Sequence, residues 1–253
     1  MFFRRKHQPE TLPEKFARVL AFKAEMIASA PERIAGLEAT GQIRLALENH
    51  SHLLADWCST AVMHWRRGDD PRPAIRDMRQ AYQVMLAERD RLDPQHAIAL
   101  LAIGGITDWD LVYSLFWLIG DPVEPLLHSP HMLEERYFAY ARYLLHRTTG
   151  SAVPEPLDLA VERFKQSGDG LVDRNFGDLV ALLEADEAAA APLAARIASN
   201  WGKRRRAAFY NRSAPLNAGF DASNDLSVDY QLACILHARG WQLPVGPHYW
   251  CWG

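Results

Sequence analysis

Cysteine is scarce in this sequence of 253 residues: three occur, Cys58, Cys234 and Cys251, with no short metal-type or redox spacing between them. That argues against a disulfide framework and fits a reducing cytosol. Long apolar runs are missing as well. The most apolar stretch, 111–119, is about half of the roughly 20 residues that a membrane-spanning helix needs. Near the start, His7-Gln8-Pro9-Glu10-Thr11-Leu12-Pro13 interrupts the apolar run of a signal peptide. A cytoplasmic chain without a membrane partner is expected. Nor does one sign of charge dominate, since 28 Lys and Arg against 31 Asp and Glu leave a formal net charge of -3. Without a global basic field, no nucleic-acid partner is expected.

Reaction chemistry is equally sparse. No Gly-x-Ser-x-Gly elbow, flanked catalytic cysteine or glycine-rich phosphate loop occurs. Gly104-Gly105 is an isolated pair that loosens or caps a helix. His50 and His52, His128 and His131, and His237, His248 and Cys251 lack the partners that a metal site needs at helical spacing. His50 falls on an apolar helical face, where a core histidine holding one hydrogen bond is the ordinary case. No catalytic residue, metal ligand or cofactor is expected. An enzyme assembled from distant residues such as Asp56, His64 and Asp110 is one competing reading.

What the sequence does hold is helical periodicity. Ile43, Leu47, His50, Leu54, Trp57, Ala61 and Trp65 recur every three or four residues and set out one buried face. Gly68-Asp69-Asp70-Pro71 ends that helix, and Pro71 and Pro73 suit the first turn of the next, carried by Ile75, Met78, Tyr82, Met85 and Leu92. The two should pair antiparallel across a short loop. Upstream, 13–28 and 31–39 read as an interrupted helix, with Ser29 capping a restart whose first turn holds Pro31. Residues 108–119 are apolar on nearly every side and predict a central core helix.

Leu133, Tyr137, Tyr140, Ala141 and Leu144 mark another helix that stops at Thr148-Thr149-Gly150-Ser151. Beyond the proline-rich Val153-Pro154-Glu155-Pro156 come helices over 157–166, around Phe176, Leu179, Val180 and Leu183, over about 187–201, and over 226–239. No strand-like alternation persists, and no fixed period marks a solenoid. The expected fold is all-α, an irregular array of about ten helices rather than a regular solenoid. Its expected division is into two packed helical halves, 1–149 and 150–253.

The strongest local bias is acidic. Asp169, Asp173, Asp178, Glu184, Asp186 and Glu187 share a short stretch whose only basic residue is Arg174, and Asp221, Asp225 and Asp229 form a second cluster. An acidic face steers a cationic partner and fixes its orientation. Helix N-terminal charge accounts for several of these residues without any partner. Lys203-Arg204-Arg205-Arg206 is the densest basic run, but four successive helical residues spread around the axis and read as a solvated face. Trp241, Tyr249, Trp250 and Trp252 lie in an aperiodic tail, either a lid over the helices or part of a binding surface.

In order along the chain, Trp65-Arg66-Arg67-Gly68-Asp69-Asp70, Ala74-Ile75-Arg76-Asp77-Met78-Arg79, Leu111-Val112-Tyr113-Ser114-Leu115-Phe116-Trp117-Leu118, 176–183 and 197–210 resemble motifs of the PoNi-type immunity proteins. These are bacterial all-helical proteins that neutralise polymorphic DNase toxins, including those of type VI secretion. Where that family opens its last long helix with an aromatic-Gly-Tyr-Trp segment, this chain has Leu226-Ser227-Val228-Asp229-Tyr230, and the family's closing Tyr-Tyr-Pro is His248-Tyr249-Trp250. The resemblance implies a non-enzymatic immunity protein that binds a cognate toxin or effector domain. A nuclease groove must be basic to hold phosphates, so the two acidic clusters are the expected toxin-binding face. The alternative is a helical adaptor or scaffold, which would present a long apolar groove to a peptide or partner helix.

Overall fold

The computed structural model describes residues 12–95, 115–116, 119, 136–167, 170–208 and 229–243, and among the described residues periodicity becomes eight helices of ten residues or more. No strand occurs among the described residues, whose regular structure is all α-helical. Helix α1 runs Leu12–Ala39, α2 Ile43–Arg67 and α3 Arg72–Leu92. These three lie side by side in alternating direction, each packed on the next. The face read from the sequence of α2 turns inward: Leu47, His50, Leu54, Ala61 and Trp65 are buried, while Ile43 and Trp57 are half-buried. On α3 the same spacing buries Ile75, Met78, Tyr82 and Met85.

The α2–α3 turn depends on Gly68, whose φ of 84° is left-handed and lets its N–H donate to the Trp65 carbonyl at 3.0 Å. Pro73 then sits in the first turn of α3, where its missing N–H is not needed.

Helix α1 departs from expectation. It is continuous through Pro31, and the Ser29 hydroxyl donates to the Met26 carbonyl at 3.1 Å instead of capping a restart. Pro31 removes one backbone hydrogen bond, a local penalty that tertiary packing overrides. Ala30 and Ile34, on either side of it, are buried against Ala46 of α2. A second clamp joins the pair about two turns nearer the start of α1, where the Lys23 ammonium meets Asp56 at 2.7 Å with both side chains largely shielded.

The remaining helices are α4 (Arg136–Thr149), α5 (Glu155–Ser167), α6 (Leu171–Glu184), α7 (Glu187–Ala208) and α8 (Tyr230–Arg239). Helix α8 starts at Tyr230 because Asp229 caps it, and the expected extension over 226–228 lies outside the described residues. Leu115 and Phe116 of the expected core helix are helical and fully buried; the rest of 108–119, apart from Ile119, lies outside the described residues. So do Gly104-Gly105, His128, His131, His248, Cys251 and the aromatic tail beyond Leu243.

Aromatic stacking sets the α4–α6 contact. The Tyr140 and Phe176 rings lie parallel with centroids 3.8 Å apart, and Tyr143 meets Phe176 edge-on. A single apolar cluster draws on α1 (Phe16), α2 (Trp65), α3 (Tyr82), α4 (Tyr140), α5 (Leu157), α6 (Phe176), α7 (Ile197) and α8 (Ile235). The thiols of Cys58 on α2 and Cys234 on α8 are buried in it. No described helix is long and apolar enough to cross a membrane.

Candidate functional site

Helix ends decide what becomes of the acidic residues. Asp173 stands in the first turn of α6 and accepts from the Gly170 backbone N–H at 3.2 Å. It also takes the Tyr140 hydroxyl at 2.6 Å and the Arg136 guanidinium at 2.9 Å, leaving its side chain 10% exposed. Asp229 is fully buried and accepts from the Leu232 N–H at 3.1 Å as the N-cap of α8. Both correct the expected acidic face. They point into the protein, because a helix N-terminus offers the donors and positive dipole end that a carboxylate otherwise finds in a partner.

Asp178 is half-buried and pairs with Arg196 of α7 at 3.1 Å, Glu184 pairs with Arg147 of α4 at 3.0 Å, and Asp186 accepts from the Ala189 N–H at 2.8 Å to start α7. Glu187 follows in the first turn of that helix. Glu184, Asp186 and Glu187 are exposed, so the acidic surface contracts to the α6–α7 turn. Asp169, Asp221 and Asp225 lie outside the described residues.

The distributed catalytic reading finds no assembly among the described residues. Asp56 is occupied by Lys23, and His64 stands 3.2 Å from Asp69. The two are separated by about 12 Å of rise along α2. Asp110 lies outside the described residues.

Geometry brings together a different set. Because α1, α2 and α3 alternate in direction, the last turn of α1, an early turn of α2 and the penultimate turn of α3 meet at one end of the layer. Glu38, His50 and Glu88 occupy those turns, with one ligand atom from each within 4.8 Å of the other two. They line an open cleft of ≈ 470 Å³ whose apolar wall includes Ile34, Leu53, Trp57 and Val84.

His50 is 6% exposed, and neither ring nitrogen has a hydrogen-bond partner. A buried polar group in that condition costs about 1–3 kcal/mol. Burial lowers the imidazole pKa, opposed by the carboxylates of Glu88 and then Glu38, so the neutral ring with an available lone pair is favoured. The expected core position is therefore correct, but the expected hydrogen bond is absent. Arg91, one turn beyond Glu88 and about half exposed, spans the two acids: its guanidinium meets Glu38 at 2.6 Å and donates through Nε to Glu88 at 2.8 Å. Residue spacing gave no sign of this site, whose three acid–base groups come from three separate helices.

No protein-family model, curated protein or solved structure matches the chain.

Proposed function

We propose that this chain is a non-enzymatic cytoplasmic immunity protein that binds a cognate antibacterial toxin, a DNase effector, and occludes its active site or DNA-binding groove. It does so as an irregular array of about ten helices in two packed halves. The observation that carries the reading is the exposed acidic turn between α6 and α7, formed by Glu184, Asp186 and Glu187. A nuclease groove holds phosphates with basic side chains, so an acidic turn presented by rigid helices competes for the same charges. Asp169, Asp221 and Asp225 are further toxin-binding residues in this reading. A stable complex buries on the order of 1,600 Å² in total.

The choice of variants follows from the geometry. Changing Asp186 would remove the cap of α7, and changing Asp178 would break its pairing with Arg196, so either confounds charge with folding. Glu184→Lys with Glu187→Lys alters charge at exposed positions, and the Glu184–Arg147 pair it sacrifices is a surface pair worth under about 1 kcal/mol. With the cognate toxin, sought first among the products of neighbouring genes, the double variant is expected to associate about tenfold more slowly at low salt and to protect cells poorly. Unchanged association by a folded double variant moves the binding surface elsewhere. Failure of the unaltered protein to rescue or co-purify with that toxin removes the immunity reading.

A further inference from the structure

We infer that Glu38, His50 and Glu88 form a binding site for one divalent transition-metal ion of the zinc class, held closed in the metal-free protein by the Arg91 guanidinium. The donor set is one imidazole and two carboxylates from α1, α2 and α3, with their ligand atoms within 4.8 Å of one another. Imidazole selects zinc-class ions over magnesium and calcium, and carboxylate oxygens complete such sites.

Two independent features point to a cation. The buried His50 ring turns towards the cleft with no hydrogen-bond partner on either nitrogen, as a ligand histidine would before its ion arrives. The two carboxylates already hold a cation of the protein's own, because Arg91 bridges Glu38 and Glu88. Arg91 gives its N–H donors to the two acids and none to His50, so the imidazole lone pair is left unserved.

The exchange balances in charge. A divalent ion neutralises both carboxylates, and the displaced guanidinium moves into water, where half of its side chain already lies. Tetrahedral zinc bonds of about 2.0–2.2 Å place ligand atoms roughly 3.3 Å apart. Glu38 and Glu88 must therefore draw inward by rotamer changes, which their three side-chain torsions allow. Trp57 and Asp77 line the same cleft as the three ligand residues. This inference is independent of the immunity reading.

The test uses the full chain, freed of metal and titrated with Zn²⁺ by calorimetry and with Co²⁺ by visible absorption. One equivalent should bind, with the strong visible bands of low-coordinate Co²⁺. His50→Ala and Glu88→Gln should each weaken binding by about 100-fold, at least the loss usual for disturbing even the groups behind metal ligands. Arg91→Gln should strengthen it by about tenfold, because the tethered competitor is gone; a merely structural Arg91 would not give that gain. His52→Ala, at an exposed position one residue past the neighbouring Ser51, should bind as the unaltered chain does. Circular dichroism melts identify folded variants, and Glu38→Gln replaces His50→Ala if the latter does not fold. Absence of binding by the unaltered chain overturns the proposal. So does binding that the Glu88 and Glu38 variants leave unchanged.

Discussion

Trp65→Ala is expected to lower the stability of the chain by about 4 kcal/mol, the usual loss for truncating a fully buried tryptophan. Trp65 has no exposed surface, and its ring meets His237 of α8 edge-on, with centroids 5.9 Å apart. It thus joins the layer formed by α1, α2 and α3 to the last described helix. Deleting the indole leaves a cavity whose walls come from both parts of the sequence, so the loss should be felt throughout. Urea unfolding followed by circular dichroism is expected to keep one transition and move it to lower denaturant. Two transitions, with only the earlier one shifted, would mean that the halves on either side of position 149 unfold independently.

Asp173→Ala is expected to cost about 3 kcal/mol, because three donors lose one shielded acceptor. At roughly 2–4 °C per kcal/mol for a chain of this size, thermal unfolding should come about 6–12 °C earlier. The Arg136 guanidinium, the Tyr140 hydroxyl and the Gly170 N–H all converge on that carboxylate. Asp173→Asn keeps the shape and one acceptor oxygen, so it should lose less. Burial first and then the bond to Asp173 raise the Tyr140 phenol pKa above its ordinary value. Removing the carboxylate should therefore let Tyr140 ionise at lower pH, as followed by ultraviolet titration. A double-mutant cycle with Tyr140→Phe should return a coupling of about 1–2 kcal/mol. Additivity within error would mean that the hydroxyl and the carboxylate do not act together.

How far the sequence discloses the molecule depends on the range of the interactions involved. Helices α2 and α3 are legible because Leu47, Leu54, Ala61 and Trp65, and then Ile75, Met78, Tyr82 and Met85, write one buried face each, and Gly68 marks the stop. Pro31 misleads because the cost of a proline is local, whereas the burial of Ala30 and Ile34 against Ala46 is tertiary. The acidic residues are visible as a composition but not as a surface. Asp173 and Asp229 turn inward to helix ends, a fate that the charge count alone does not separate from an outward-facing patch. The Glu38, His50 and Glu88 cluster has no local signature at all. Its members become neighbours only when the turn at Gly41 and the turn at Gly68 reverse the chain and bring three helix ends level.

The buried sulfur atoms give the protein a means of reporting its own breathing. Cys58 and Cys234 sit in α2 and α8, each with almost no surface, and burial followed by the charge of Asp229 drives the Cys234 thiol well above its ordinary pKa. The thiolate is the form that attacks alkylating reagents, so in the closed molecule Cys234 is both screened and chemically quiet. Its labelling must wait for α8 to detach, and that of Cys58 for α2 to open. The two rates, read by mass spectrometry without any substitution, compare how often distant parts of one core come apart.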